Sequence, residues 1–252
     1  MADAAAKRAL PGREIQWLRE VDSTNLRLSA LVREKGAAAH GVVIVADHQT
    51  AGRGRRGRTW EAPVGSSLLV SAVVQAPAPD LAQLTTVGAA LAAADACESQ
   101  AGVRPSLKWP NDLMFGASKV GGILADAVSP QAVVIGLGLN VDWGDVKLPE
   151  GATSLSLVAG APGVGREALL ASYLQHLFAR CEALTEPVAR KSLLENYRAS
   201  CSTLGRVVRV ELDTGRVTGT ATDVTGRGNL VVTTQTGASE VSAGDVFHIG
   251  NP

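Results

Sequence analysis

The sequence predicts an α+β protein in which strands and helices share a long first part and a small all-β barrel closes the chain. Two observations carry that expectation. Up to about residue 200, short apolar runs such as 42–46 and 66–74 alternate with stretches of helical period. From about residue 203, brief β-branched runs are separated by Gly, Asp and Asn turns, the pattern of a small barrel. The chain has 252 residues, 46% of them apolar, enough for a sizeable core and against global disorder.

Residues 1 to about 13 read as a flexible lead-in ended by Pro11-Gly12. They contain no apolar h-region, so no signal peptide is expected, and no run of about eighteen apolar residues suggests a membrane span. Ile15 to Leu18 reads as a strand. Asp22-Ser23-Thr24-Asn25 is helix-capping chemistry, and Leu28, Leu31 and Val32 follow on one helical face. The same turn can offer hydroxyls and an amide to a ligand, and the two roles are compatible. Asp80 is expected to cap a helix reaching about Gln100, with Leu81, Leu84, Val87, Leu91 and Ala94 inward. Lys119 to Ala125 and residues 132–142 read as strands. Gly136-Leu137-Gly138 resembles part of a dinucleotide fingerprint but lacks the third glycine and the helix that should follow. Two helices are expected after Gly165, the second opened by Pro187. Ser200 to Thr203 forms the junction to the barrel.

Two stretches carry chemistry. In Gln49 to Trp60, three glycines alternate with four arginines, and almost nothing in it can be buried. Such a segment is poor as helix or strand and suits a surface loop with accessible N–H groups and fixed positive charge, an anion site. A solvated basic loop or a nucleic-acid patch has the same composition. Lys+Arg 24 balances Asp+Glu 24, however, which argues against a whole-molecule nucleic-acid binder. The second stretch is Lys108-Trp109-Pro110-Asn111-Asp112. Pro-Asn-Asp is ordinary turn chemistry, but lysines at 108 and 119 flank that turn, and Gly121-Gly122 follows inside a strand. Cys97, Cys181 and Cys201 have no CxxC spacing; the first two read as core thiols, and a reducing cytoplasm is the expected setting. His176 reads as structural or exposed.

These pieces resemble the biotin protein ligases: Asp22 to Asn25, Gln49 to Trp60, Lys108 to Asp112, Lys119 to Leu124 and Gly136 to Asn140, in that family's order and spacing. The resemblance covers roughly residues 15 to 250. It implies a mixed β-sheet with helices on one side, related to class II aminoacyl-tRNA synthetase cores, over residues 14–200. It also implies an SH3-like β-barrel over 203–252. The activity implied has two steps. Biotin's carboxylate attacks the α-phosphate of ATP, giving biotinyl-5′-AMP and pyrophosphate. A lysine of a biotin carboxyl carrier domain then takes the biotinyl group and releases AMP.

The resemblance assigns Lys119, Arg53 and Arg55 to catalysis. Biotin binding falls to Ser23, Thr24, Asn25, Gln49, Gly52, Arg53, Gly54, Arg55, Lys119, Gly121 and Gly122. Arg55, Arg58, Trp60, Lys108, Asn111, Asp112, Lys119 and Asn140 fall to the nucleotide. Mg²⁺ is expected to arrive with ATP and not in a protein metal site. The glycine-rich 50–60 loop is expected to move and to close over the adenylate. Longer family members carry an operator-binding helix-turn-helix; too few residues precede the catalytic pattern here, so no DNA binding and no membrane contact are expected. Monomer and homodimer are both compatible with the sequence. Rival readings are a lipoate or octanoate ligase on the same scaffold, and a nucleic-acid-binding module.

Overall fold

The structure, a computed structural model, describes residues 12–160 and 163–249. Most of the expected lead-in, residues 1–11, lies outside the described residues. The first strand, β1 (Ile15–Val21), is followed by helix α1 (Thr24–Lys35), β2 (Val43–Gln49) and β3 (Ser67–Gln75). Helix α2 (Gln83–Ala101) precedes β4 (Ser106–Lys108), β5 (Asp112–Phe115), β6 (Ser118–Ser129) and β7 (Ala132–Asn140). Three helices come next: α3 (Leu155–Ala159), α4 (Arg166–Ala183) and α5 (Pro187–Ser200). Strands β8 (Val207–Leu212), β9 (Gly215–Val224), β10 (Leu230–Thr234), β11 (Gly237–Val241) and β12 (Asp245–His248) complete the order.

Strands β1 to β7 form one mixed sheet in the order β1-β2-β3-β7-β6-β5-β4, parallel only between β1 and β2. Strands β8 to β12 form a second, antiparallel sheet in the order β11-β10-β9-β8-β12. One face of the large sheet packs on α2, α4 and α5, and this apolar core continues without a break into Val208, Val210, Leu230 and Val246 of the second sheet. Trp109 seals the junction. It is 1% exposed, its indole donates to the Gly228 carbonyl at 3.0 Å, and its backbone N–H donates to Thr203 Oγ1 at 3.0 Å. All three cysteines are buried, and burial pushes the Cys97 and Cys181 thiols up to about 12, where they are inert. His176 is part-exposed and lies 3.9 Å from Asp95, whose carboxylate also pairs with Arg104 and Arg180.

Three expectations change. Helices do not keep to one side: Leu28 and Val32 of α1 pack on Ile44, Val73 and Val134, across the opposite face. Asp80 is not the cap of α2, because Pro79–Leu81 forms a separate 3-10 turn and the helix starts after Ala82. That helix has no single inward stripe, since thirteen of its nineteen residues are buried. Its many alanines let sheet and α4 approach from different sides. The short helix α3 has no sequence counterpart above; at five residues it shows too little periodicity to read.

Candidate active site

The site lies on the α1 face of the large sheet. Alternation along the strands decides which residues reach it. Ser71 of β3 pairs with Gly136 of β7, which pairs with Leu124 of β6; Leu69, Gly138 and Gly122 form the next rung. The row of glycines leaves a trough in the sheet. A Cβ on Gly136 would lie 2.1 Å from Asn25 Oδ1, and one on Gly138 would lie 2.6 Å from the Trp60 ring. Asn25 and Trp60 occupy the space that those missing side chains leave.

A polar socket forms where α1 begins. Ser23 takes the N-cap position, but its side chain caps nothing. The backbone N–H of Thr24 donates to Gln49 Oε1 at 2.8 Å, and the Thr24 hydroxyl donates to the same oxygen at 3.1 Å. Ser71 Oγ lies 2.7 Å from Thr24 Oγ1 and 2.5 Å from Asn25 Oδ1, so its one proton serves either acceptor. The Asn25 amide donates to the Leu124 carbonyl and to Asp126 Oδ2. Ser23, Thr24, Asn25 and Ser71 are all buried. With Gln49 Oε1 engaged, its amide N–H groups remain as donors beside the cavity.

The second part of the site is cationic. Lys119 reaches it because of a β-bulge. Its strand register against β5 slips between Leu113 and Met114, so Val120 is an extra residue on β6. Val120 turns into the core, while Lys119 joins Gly122 on the site face; a Cβ on Gly122 would lie 3.2 Å from Lys119 Nζ. Hydrogen bonds from Lys119 N to the Gly151 carbonyl and from Thr153 N to the Lys119 carbonyl fix the lysine backbone. Lys119 Nζ pairs with Asp112 Oδ1 at 2.5 Å and lies 5.7 Å from the Trp60 ring centroid.

The glycine-arginine loop folds back on itself. Arg53 and Thr59 form a bridge, Gly54 N donates to the Arg58 carbonyl, and Trp60 N donates to the Gly52 carbonyl. Gly52 has no room for a side chain, since a Cβ would lie 2.2 Å from the Trp60 carbonyl. Arg55 is largely buried and donates to Asn111 Oδ1 at 3.2 Å; burial pulls its pKa down, against the pull of Asp245 and Asp112. The loop reaches the second sheet through Arg55, Arg56 and Arg58.

One cavity joins socket and loop. Ser23, Thr24, Asn25, Gln49, Arg53, Gly54, Arg55, Arg58 and Trp60 line it, with Lys108, Asn111, Asp112, Lys119 and Gly122 opposite. Arg53 and Lys119, from separate segments, therefore face a common space. Five cationic side chains against the carboxylates of Asp112 and Asp245 make it a cleft for an anion. Three expected residues are absent from its lining. Gly52 backs the loop. Gly121 points away from the trough, toward Leu139 and Leu113. Asn140 is buried, donating to the Thr153 carbonyl and accepting from Ser67 Oγ at 3.3 Å. The sequence reading also missed Ser71, Gly136, Gly138 and Asp245. Strand alternation could have flagged Ser71 as a hydroxyl among apolar neighbours; nothing local marks Asp245.

A polar socket running into a cationic cleft suits a ligand with a neutral polar head and an anionic end. Residues 17–140 match the Biotin/lipoate A/B protein ligase family, and residues 203–249 match the Biotin protein ligase C terminal domain. The chain is 37% identical to the biotin–[acetyl-CoA-carboxylase] ligase of Mycobacterium tuberculosis, over 94% of this chain and 90% of that one. It is 32% identical to the ligase of the same name from Paracoccus denitrificans, over 92% and 100%. The biotin protein ligase of Aquifex aeolicus, solved with biotin and ATP, superposes with a TM-score of 0.78 at 29% identity, over 93% of this chain and 97% of that one. The chain belongs to the biotin protein ligase family. Among the described residues, no helix is long and apolar enough to cross a membrane.

Proposed function

We propose that this chain activates biotin with ATP and transfers it to a lysine of a biotin carboxyl carrier domain of the acetyl-CoA carboxylase type. The observation that carries the reading is the single cavity shared by Arg53, from the glycine-arginine loop, and Lys119, from the bulged strand. The ureido ring of biotin is neutral and rich in donors and acceptors, and the socket of Ser23, Thr24, Asn25 and Gln49 offers both. Its carboxylate then points at the cations. Attack of a carboxylate oxygen on the α-phosphorus forms biotinyl-5′-AMP and breaks the bond to pyrophosphate. Arg53, Arg55, Arg58 and Lys119 stabilise the charge that gathers around phosphorus. In the second step the neutral amine of the acceptor lysine attacks the anhydride carbonyl, AMP leaves, and the amine proton is lost. Trp60, Lys108 and Asn111 serve the nucleotide, and Asp112 orients Lys119.

Mg²⁺ enters as the counter-ion of ATP. The cavity carboxylates fit that role for the metal, since Asp112 pairs with Lys119 and Asp245 with Arg58. Among the described residues no cluster of three His, Cys, Asp or Glu side chains could hold an ion. The 50–60 loop closes over the adenylate and shields it from water. We read residues 14–200 as a catalytic domain of the class II synthetase type and 203–252 as an SH3-like barrel, with the enzyme working in the cytoplasm and not at an operator. The match of residues 203–249 favours biotin over lipoate as the substrate.

The test is transfer of labelled biotin, from ATP and biotin, to a carrier domain. Lys119→Ala should cut transfer by about 10²-fold, the scale for losing one charge-stabilising donor. Exchange of pyrophosphate into ATP that depends on lipoate and not on biotin would overturn the reading.

A further inference from the structure

The arginine loop is not free-standing: three of its four arginines are held by the second sheet. Arg58 Nη2 pairs with Asp245 Oδ2 at 2.5 Å, and Arg56 Nη1 lies 3.9 Å from the same oxygen. Arg56 also pairs with Asp213 and donates to the Glu211 carbonyl at 2.9 Å. Arg55 donates to the Gly244 carbonyl at 3.3 Å. Asp213 is exposed, whereas the Asp245 side chain is 19% exposed and lines the cavity itself. Arg56 adopts φ 53° and ψ 41°, the left-handed region that an arginine rarely enters. Such a conformation persists only where surroundings over-determine it. Here the surroundings are the start of β12 and the β8–β9 turn.

We propose that Asp245 is a positioning residue for the ligase reaction: from the second sheet it holds Arg58 and Arg56 so that the loop stays folded across the cavity. Asp245 acts through Arg58, and so makes the second sheet a working part of the nucleotide end. The inference rests on the proposed biotin-activating reading only for its catalytic consequence, not for the contact.

Amide hydrogen exchange of the peptide spanning 52–60, in the full chain without substrates, reads the contact directly. Asp245→Asn and Arg58→Gln should each speed exchange there by about threefold, the scale for losing a part-exposed ion pair. The double variant should be no faster than Asp245→Asn alone. Asp245→Glu should restore most of the protection. In a biotin-transfer assay, Asp245→Asn should release about threefold more free adenylate per biotin transferred, with Asp245→Glu again restoring retention. If Asp245→Asn loosens the second sheet as a whole, Arg58→Gln, which lies outside that sheet, decides: unchanged exchange at 52–60 overturns the proposal. Changed exchange without any biotin-dependent activity would leave the contact standing and sink the functional reading instead.

Discussion

In the socket, Thr24, Asn25 and Ser71 are at most 4% exposed, and their partners are one another, Gln49 and the sheet. In the arginine loop, Arg58 is 63% exposed, and its partner is a carboxylate on a different sheet. Both regions are polar, but different physics holds them. The socket is a dry network in which any missing partner strands a buried group. The loop is a set of wet ion pairs that salt and ligands can exchange. On the function proposed above, a site that recognises one neutral ring and then admits and releases a charged nucleotide gains from having both.

The sharpest way to break this contrast is to fill the trough. Gly136→Ala would drive a methyl group into Asn25, which Ser71 and Asp126 hold in place, and should destabilise the fold by roughly 1–3 kcal/mol in urea unfolding. Ser71→Ala should cost about 1–2 kcal/mol, because Asn25 Oδ1 and Thr24 Oγ1 lose a partner in a dry place. Arg56→Gln should cost no more than about 0.5 kcal/mol of global stability while loosening the loop. Raising salt should likewise speed amide exchange at 52–60 and leave the head of α1 unchanged.

The smallest effect comes from pH. Burial pulls the His248 pKa below its ordinary value of 6.5, helped by Lys108 and Arg206, and burial also lowers that of His40, helped by Arg13. A lowered histidine pKa means that the unfolded chain binds the proton more readily. This contribution to stability is therefore complete above pH 6.5 and lost as pH falls from there toward the folded values. Thermal melts at pH 7.5 and 5.5 should show the loss, and His248→Gln should reduce it.

The cationic half of the site was legible in the sequence because its residues sit in contiguous, chemically odd stretches. Glycine-laced arginines and a lysine beside a double glycine have no ordinary packing role. The socket was half legible. Thr24 and Asn25 stood out in a capping turn, but Ser71 and Gly136 meet them only through the pairing of β3 with β7, and register is not local information. The bulge at Val120 hid the true direction of Lys119 in the same way: strict alternation would put Lys119 on the face of Gly121, and the extra residue moves it to the face of Gly122. The turn-separated strands after residue 203 followed from β-branched periodicity. The second helix-bearing face did not, because α1 shows only one apolar stripe and no sign of which side of the sheet it covers.

Trp109 has a practical corollary. Its indole and its backbone are both bonded to residues beyond 202, and the apolar interior passes through the same place. Cutting the gene after that position would not yield a smaller working enzyme. It would leave a raw apolar wall, an orphaned indole donor and an arginine hairpin with nothing to lean on, so shortened versions should be sought as insoluble material.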